Sequence, residues 1–273
     1  MGKVTDAGFV KGFIRMADDG WNLGFHERNG GNLSYRIKEE EVEGIKECFA
    51  PAEWKEIGTE VPDLAGEYFL VTGSGKYFRN VSLDPEDTLA IIEVDDAGKM
   101  YRIVWGLKNG GRPTSELPTH LMNHEIKKRL TDGRHRVIYH AHPISIVALT
   151  FLLPLEDKVF TRELWTTMTE CPIVFPAGVG VVPWMVPGGR EIAIATSEKM
   201  KEYDLVIWAH HGMFASGADF DLTFGLMHTA EKSAEILVKV FSMTDKKRQV
   251  MSSADLRKLA DEFGVVLPEK FLD

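Results

Sequence analysis

The chain has 273 residues, 44% of them apolar and 27% charged, ordinary proportions for a globular protein with a full core and a length that an undivided α/β domain reaches. A net charge of −9 with no basic block argues against nucleic acid or an anionic membrane as a partner. Two distant cysteines, Cys48 and Cys171, give neither a disulfide framework nor a metal-like spacing. With no signal-like amino terminus and no apolar run near the ~18 residues of a membrane span, a cytoplasmic location is expected.

Residues 5–23 place apolar side chains at Phe9/Val10, Phe13/Ile14, Met16/Ala17 and Trp21, the stripe of an amphipathic helix that Thr5 or Asp6 would cap. Glu27–Arg36 follows, and its two adjacent glycines, Gly30 and Gly31, free backbone N–H groups for a ligand before a strand over Leu33–Ile37. The same residues also read as an ordinary Asn-Gly turn. Residues 38–66, with Pro51 and Pro62, read as a long surface excursion without assigned function.

Tyr68–Thr72 is a strand that ends in Gly73-Ser74-Gly75-Lys76. A bend of this composition exposes N–H groups and a hydroxyl, the donors an anion needs, although the Gly-x4-Gly-Lys-Ser/Thr spacing of a P-loop is absent. Leu89–Val94 and Met100–Trp105 form a hairpin around Asp95–Gly98. Arg112–Leu117 then enters a helix running to Leu130. There Thr114 and Ser115 suit an N-cap, and Glu116 suits the first turn electrostatically.

Arg136–His142 is a β-branched and aromatic run carrying two histidines one residue apart. On a strand His140 and His142 share one face, about 7 Å apart at Cα, close enough to converge on one metal ion. A chance pairing among nine histidines is the competing explanation. Pro143 opens a helix. Further helices are expected over Phe160–Thr169 and Glu191–Glu202, with glycine-broken strand over 176–184 and punctuation at Pro187-Gly-Gly189. Asp204–Ala209 is a buried strand leading to His210-His211, where alternation lets only one imidazole join the first pair. Thr223–Met243 is a long helix striped by Phe224, Met227, Ala230, Ala234, Leu237 and Phe241. Ser252–Phe263 is the last helix, stopped by Gly264.

Two histidines from one strand and one from another make a three-His site with open positions, the form of a catalytic rather than a structural zinc. With an anion cradle and a carboxylate nearby, this suits carbon-acid chemistry beside a carbonyl. A zinc hydrolase would use the same groups to activate water.

Asn29-Gly-Gly-Asn-Leu-Ser34, Thr72-Gly-Ser-Gly-Lys-Tyr-Phe-Arg-Asn80, Pro113-Thr-Ser-Glu-Leu-Pro118, His140-Ala-His142 and His210-His-Gly212, in this order and spacing, resemble the class II aldolase and adducin-head family. The resemblance implies an α/β fold, one domain over 1–273 with a central, mainly antiparallel sheet flanked by helices. It implies one zinc per subunit held by His140, His142 and His211, and Glu116 as the acid/base acting on an enediolate. It implies a phosphate cradle from Gly31, Asn32, Ser74, Gly75, Thr114 and Ser115, with Asn29 near the reacting carbons. Glu170 matches a glutamate delivered from a neighbouring subunit of a homotetramer. The implied substrate is a sugar phosphate cleaved to dihydroxyacetone phosphate and an aldehyde. Another sugar-phosphate member of the family, such as a fuculose-phosphate aldolase or a ribulose-phosphate epimerase, and a non-catalytic scaffold of the same fold are the competing expectations.

Overall fold

The computed structural model describes residues 3–272 and is built on one nine-stranded sheet. The strands are β1 (Asn32–Arg36), β2 (Lys55–Glu56), β3 (Tyr68–Thr72), β4 (Leu89–Val94), β5 (Met100–Gly106), β6 (Val137–Ala141), β7 (Gly180–Val182), β8 (Leu205–Trp208) and β9 (Gly212–Gly217). Their order is β2-β5-β4-β3-β1-β6-β9-β8-β7, and every pair is antiparallel except β7–β8. This is the mainly antiparallel α/β architecture expected from the sequence.

The helices are α1 (Gly8–Asn22), α2 (Glu39–Glu43), α3 (Pro85–Thr88), α4 (Leu117–Leu130), α5 (Ile144–Leu149), α6 (Asp157–Trp165), α7 (Cys171–Val174), α8 (Arg190–Met200), α9 (Phe220–Met243) and α10 (Ser253–Phe263). None of them is long and apolar enough to cross a membrane. Strand alternation sorts the sheet into two faces. Leu33 and Tyr35 of β1 and Tyr139 of β6 lie in the large core with α1 and α9, where the Tyr35 ring meets Phe9 and Phe220. On the opposite face Phe69, Val71, Ala90 and Ile92 pack with Leu117 and Leu121 of α4.

Several elements depart from the sequence reading. The first helix begins after a 3-10 turn at Val4–Asp6, and Ala7, without a side-chain cap bond, stands at its start rather than Thr5 or Asp6. The stretch 38–66 is more than a surface excursion. It supplies α2, the edge strand β2 and the buried side chains Val42, Ile45, Ile57, Val61 and Leu64. Neither Thr114 nor Ser115 occupies the N-cap of α4; Glu116 does, with non-helical φ −93° and ψ 15°. Glu170 stands at the N-cap of the short helix α7, an element the sequence reading does not contain. The segment after β8 turns at 209–211 into β9, a strand the sequence reading had not separated from its histidines. At the far end Gly264 closes α10 in the left-handed region, φ 65°, as its position predicts.

Candidate active site

Antiparallel pairing brings together segments distant in sequence. Asn32, at the start of β1, sits opposite His140, at the end of β6, and Thr72, which ends β3, accepts a hydrogen bond from Leu33 N at 3.2 Å. The loop before β1 and the loop after β3 therefore flank the same edge. Backbone bonds from Ser74 N to Arg112 O (2.8 Å) and Thr114 N to Thr72 O (2.9 Å) fasten the entry of α4 beside them. Ala141 pairs with Met213, so the turn carrying His211 lies next to His142.

Between these segments lies a cavity of about 230 Å³. Asn29, Gly31 and Asn32 line it from the first loop, Ser74 and Gly75 from the second, and Thr114, Ser115 and Glu116 from the α4 entry. His140, His142 and His211 form its remaining wall together with Pro187 and Gly188. Eleven of the twelve residues singled out by sequence thus surround one space. The twelfth, Glu170, is exposed and does not line it.

The three histidines place a ligating nitrogen each within 4.8 Å of one another. A tetrahedral zinc with nitrogens at about 2.0–2.1 Å holds them about 3.4 Å apart, and His140 Nε2 and His211 Nε2 are 3.3 Å apart. His140 Nδ1 meets Met213 O at 3.2 Å, and His142 Nδ1 meets both Glu27 carboxylate oxygens at 2.9 Å. Such bonds leave Nε2 as the free lone pair on each ring, the arrangement seen around protein-bound metals. His142 Nε2 is buried and lacks a hydrogen-bond partner among the described residues. Burial, reinforced by His142, holds His140 well below the ordinary histidine range and His211 down at about 4. Neutral imidazoles with an orphaned nitrogen fit a divalent metal such as zinc.

His210, adjacent to His211, has φ 59° and is exposed, its ring against Phe151. The hairpin turn, rather than strand alternation, separates the two.

Glu116 is 7% exposed, accepts a hydrogen bond from Asn32 Nδ2 at 2.9 Å and lies 3.8 Å from His140 Nε2. Burial pushes its carboxyl above the usual range, opposed by the Asn32 hydrogen bond and by His142. A first-turn helix carboxylate would be solvated, so that explanation of Glu116 falls. Around the same cavity, the N–H groups of Gly31, Gly75 and Ser115 make no hydrogen bond with the described residues. Gly31 and Gly75 hold φ of +79° and +74°, which a side chain would disfavour. No lysine or arginine lines the cavity, so an anion there meets neutral donors.

Sequence reasoning missed several supports. Glu27, in the loop before β1, orients His142 and carries no signal in the sequence. His26 is stacked on Phe78 and hydrogen-bonded to Gly30 O (3.0 Å) and the Tyr139 hydroxyl (2.7 Å). His120 and His124 stand behind Asn32, and their spacing of four on a helix was the available signal.

Residues 11–238 match the Class II Aldolase and Adducin N-terminal domain. The chain is 51% identical to the rhamnulose-1-phosphate aldolase of Mannheimia succiniciproducens and 50% identical to that of Pectobacterium atrosepticum, over 97% of each chain in both cases. Among solved structures it resembles a sugar-phosphate aldolase from Thermotoga maritima, with a TM-score of 0.74 and 31% identity, covering 86% of this chain and 95% of that one.

Proposed function

The chain belongs to the class II aldolase and adducin family, and we propose that it is the member that cleaves L-rhamnulose 1-phosphate to dihydroxyacetone phosphate and L-lactaldehyde. It is an aldehyde-lyase of that family. The observation that carries the reading is a buried glutamate set beside three converging histidines on one donor-lined cavity, with Glu116 Oε2 3.8 Å from His140 Nε2. The substrate within the class is drawn from its relatives at about half identity.

In this reading His140, His142 and His211 hold one zinc per subunit. Bound there, zinc would supply a Lewis acid that stabilises the negative charge developing beside the substrate's carbonyl. Gly31, Gly75 and Ser115 donate N–H groups to the phosphate, joined by the Ser74, Ser115 and Thr114 hydroxyls and by Asn32; Asn29 sits near the reacting carbons. The 4-hydroxyl proton passes to solvent as C3–C4 breaks and the aldehyde leaves. Glu116, made more basic by burial and held by Asn32, returns a proton to C3 of the enediolate, giving dihydroxyacetone phosphate.

The whole chain, 1–273, acts as one catalytic domain in the cytoplasm, in a homotetramer with the sites at subunit interfaces. Ile144, Phe151 and Leu152, which follow His142, and Trp184 and Val186, which precede Pro187, are exposed. A neighbouring subunit would cover this apolar rim. Glu170 would act in that neighbour's site. Cleavage of L-rhamnulose 1-phosphate, L-fuculose 1-phosphate and ribulose 5-phosphate, with and without a chelator, tests the reading. It predicts chelator-sensitive cleavage of the first at the highest kcat/KM. A preference for another ketose phosphate overturns the substrate assignment, and a folded, zinc-free, inactive protein favours a scaffold.

A further inference from the structure

Behind the Glu116 carboxylate runs a row of buried polar side chains of which the reaction proposed above uses only Asn32. Asn32 donates to Glu116 Oε2 from Nδ2, and its Oδ1 is hydrogen-bonded to His120 Nε2. His120 Nδ1 lies 2.6 Å from Ser34 Oγ, and Ser34 Oγ lies 2.8 Å from His124 Nε2. Asn32 is 6% exposed and the other three are fully buried. Asn32 and Ser34 share one face of β1, while His120 and His124 are one turn apart on α4, the helix that Glu116 opens. The row therefore spans the two elements that carry the carboxylate and its amide partner.

Proton accounting gives this row one consistent direction. An ionised carboxylate only accepts, so Asn32 turns its NH2 toward Glu116 and its oxygen toward His120. His120 must then carry its proton on Nε2, which leaves Nδ1 to accept from the Ser34 hydroxyl. That hydroxyl in turn accepts from His124 Nε2–H. Burial keeps both rings neutral, His120 at about 3 and His124 well below the ordinary range. His124 Nδ1 ends the row, with no partner among the described residues. Every donor points toward Glu116, so each bond polarises the next. Ring contacts with Phe214 on His120 and Phe69 on His124 hold the two imidazoles.

We propose that Ser34, His120 and His124 are positioning residues that fix the Asn32 amide, and through it hold the Glu116 carboxylate in the orientation its proton transfer needs. This rests on the acid/base role assigned to Glu116. A polar staple between β1 and α4 with no bearing on catalysis is the opposing explanation.

The zinc-loaded enzyme separates the two. Ser34→Ala and His120→Leu should lower kcat by about 10- to 100-fold, the loss expected for a hydrogen bond to a charged group. Bound zinc should stay unchanged, and KM, to which Asn32 contributes through the phosphate, should change far less than kcat. His120→Gln, whose amide can still donate to Asn32, should restore most of the rate. In a Glu116→Gln background, Ser34→Ala should have no further effect on the residual rate. A wild-type rate for Glu116→Gln would remove the parent reading itself. An impaired Glu116→Gln beside a wild-type kcat for Ser34→Ala would overturn the relay alone. Equal losses from Ser34→Ala in both backgrounds, or a fall in zinc content together with a rise in KM as large as the fall in kcat, would establish the staple and overturn the proposal. If His120→Leu fails to fold, Ser34→Ala decides.

Discussion

Glu27 bears on metal affinity in a way the structure lets us scale. Its two carboxylate oxygens both lie 2.9 Å from His142 Nδ1, and this contact is what leaves His142 Nε2 aimed into the site. Removing such a partner of a metal-ligating histidine typically costs about 10- to 100-fold in affinity, or about 1.4–2.7 kcal/mol. Because the Glu27 side chain is 66% exposed, water screens its charge, and the lower end of that range applies. Glu27→Gln keeps an oxygen that can accept from Nδ1–H and should weaken zinc about 3-fold or less, whereas Glu27→Ala should weaken it about 10-fold. Competition against a chromophoric chelator measures both. Equal zinc affinity in wild type and Glu27→Ala would refute the idea that Glu27 orients His142 as a ligand. Equal losses in the two variants would show that charge, not orientation, is what matters.

Three other perturbations have definite expectations. In Gly31→Ala the added Cβ would sit 2.4 Å from His26 Nδ1 and 2.8 Å from His140 O at a φ of +79°; the cost is about 1–3 kcal/mol of stability, with a raised KM for sugar phosphate, both read by thermal unfolding and kinetics. Glu231, which accepts from Ser145 N and Ile146 N at 2.9 Å each, anchors the start of α5, directly after His142. Glu231→Ala should lower stability by about 1–3 kcal/mol; a variant within experimental error of wild type would show that the anchor is dispensable. His26 and His120 have folded pKa values near 3, lowered by burial, so their stabilising contribution is complete above the unfolded value of 6.5 and is lost as pH falls toward 3. Between pH 7 and 5 the urea midpoint of chelator-treated protein should fall, each histidine contributing up to about 2 kcal/mol, and a flat midpoint contradicts their neutral burial.

The parts of the fold legible in the sequence are those with a strong period. α1 and α9 bury the stripes that spacing predicts, with Phe9, Phe13 and Ala17 in one and Met227, Ala230, Ala234 and Leu237 in the other. His140 and His142 were visible because a strand repeats every two residues. The buried residues of 38–66 come from elements too short to display a period: Val42 lies in the five-residue α2, Ile57 follows the two-residue β2, and Leu64 sits in a 3-10 turn at Pro62–Leu64, so that the helix-like spacing of Ile57, Val61 and Leu64 misleads. β9 was hidden by its small residues, Gly212, Ala215, Ser216 and Gly217, which carry little strand signal. α4 was found as a helix but its inner face was not. His120, Asn123, His124 and Lys127 are buried polar groups, which hydropathy assigns to solvent. That blind spot concealed the polar row behind Asn32. The site was legible only as fragments, because its members come from five segments that the antiparallel register gathers.

The central claim is that Glu116 moves a proton at a carbon activated beside the three histidines. Solvent hydrogen exchange at C3 of dihydroxyacetone phosphate, followed by NMR in Glu116→Gln with bound zinc measured in parallel, tests it most directly. Full zinc occupancy is expected, with exchange reduced by about 100-fold or more, the scale of a lost general acid/base. Exchange at the wild-type rate with zinc in place would contradict it.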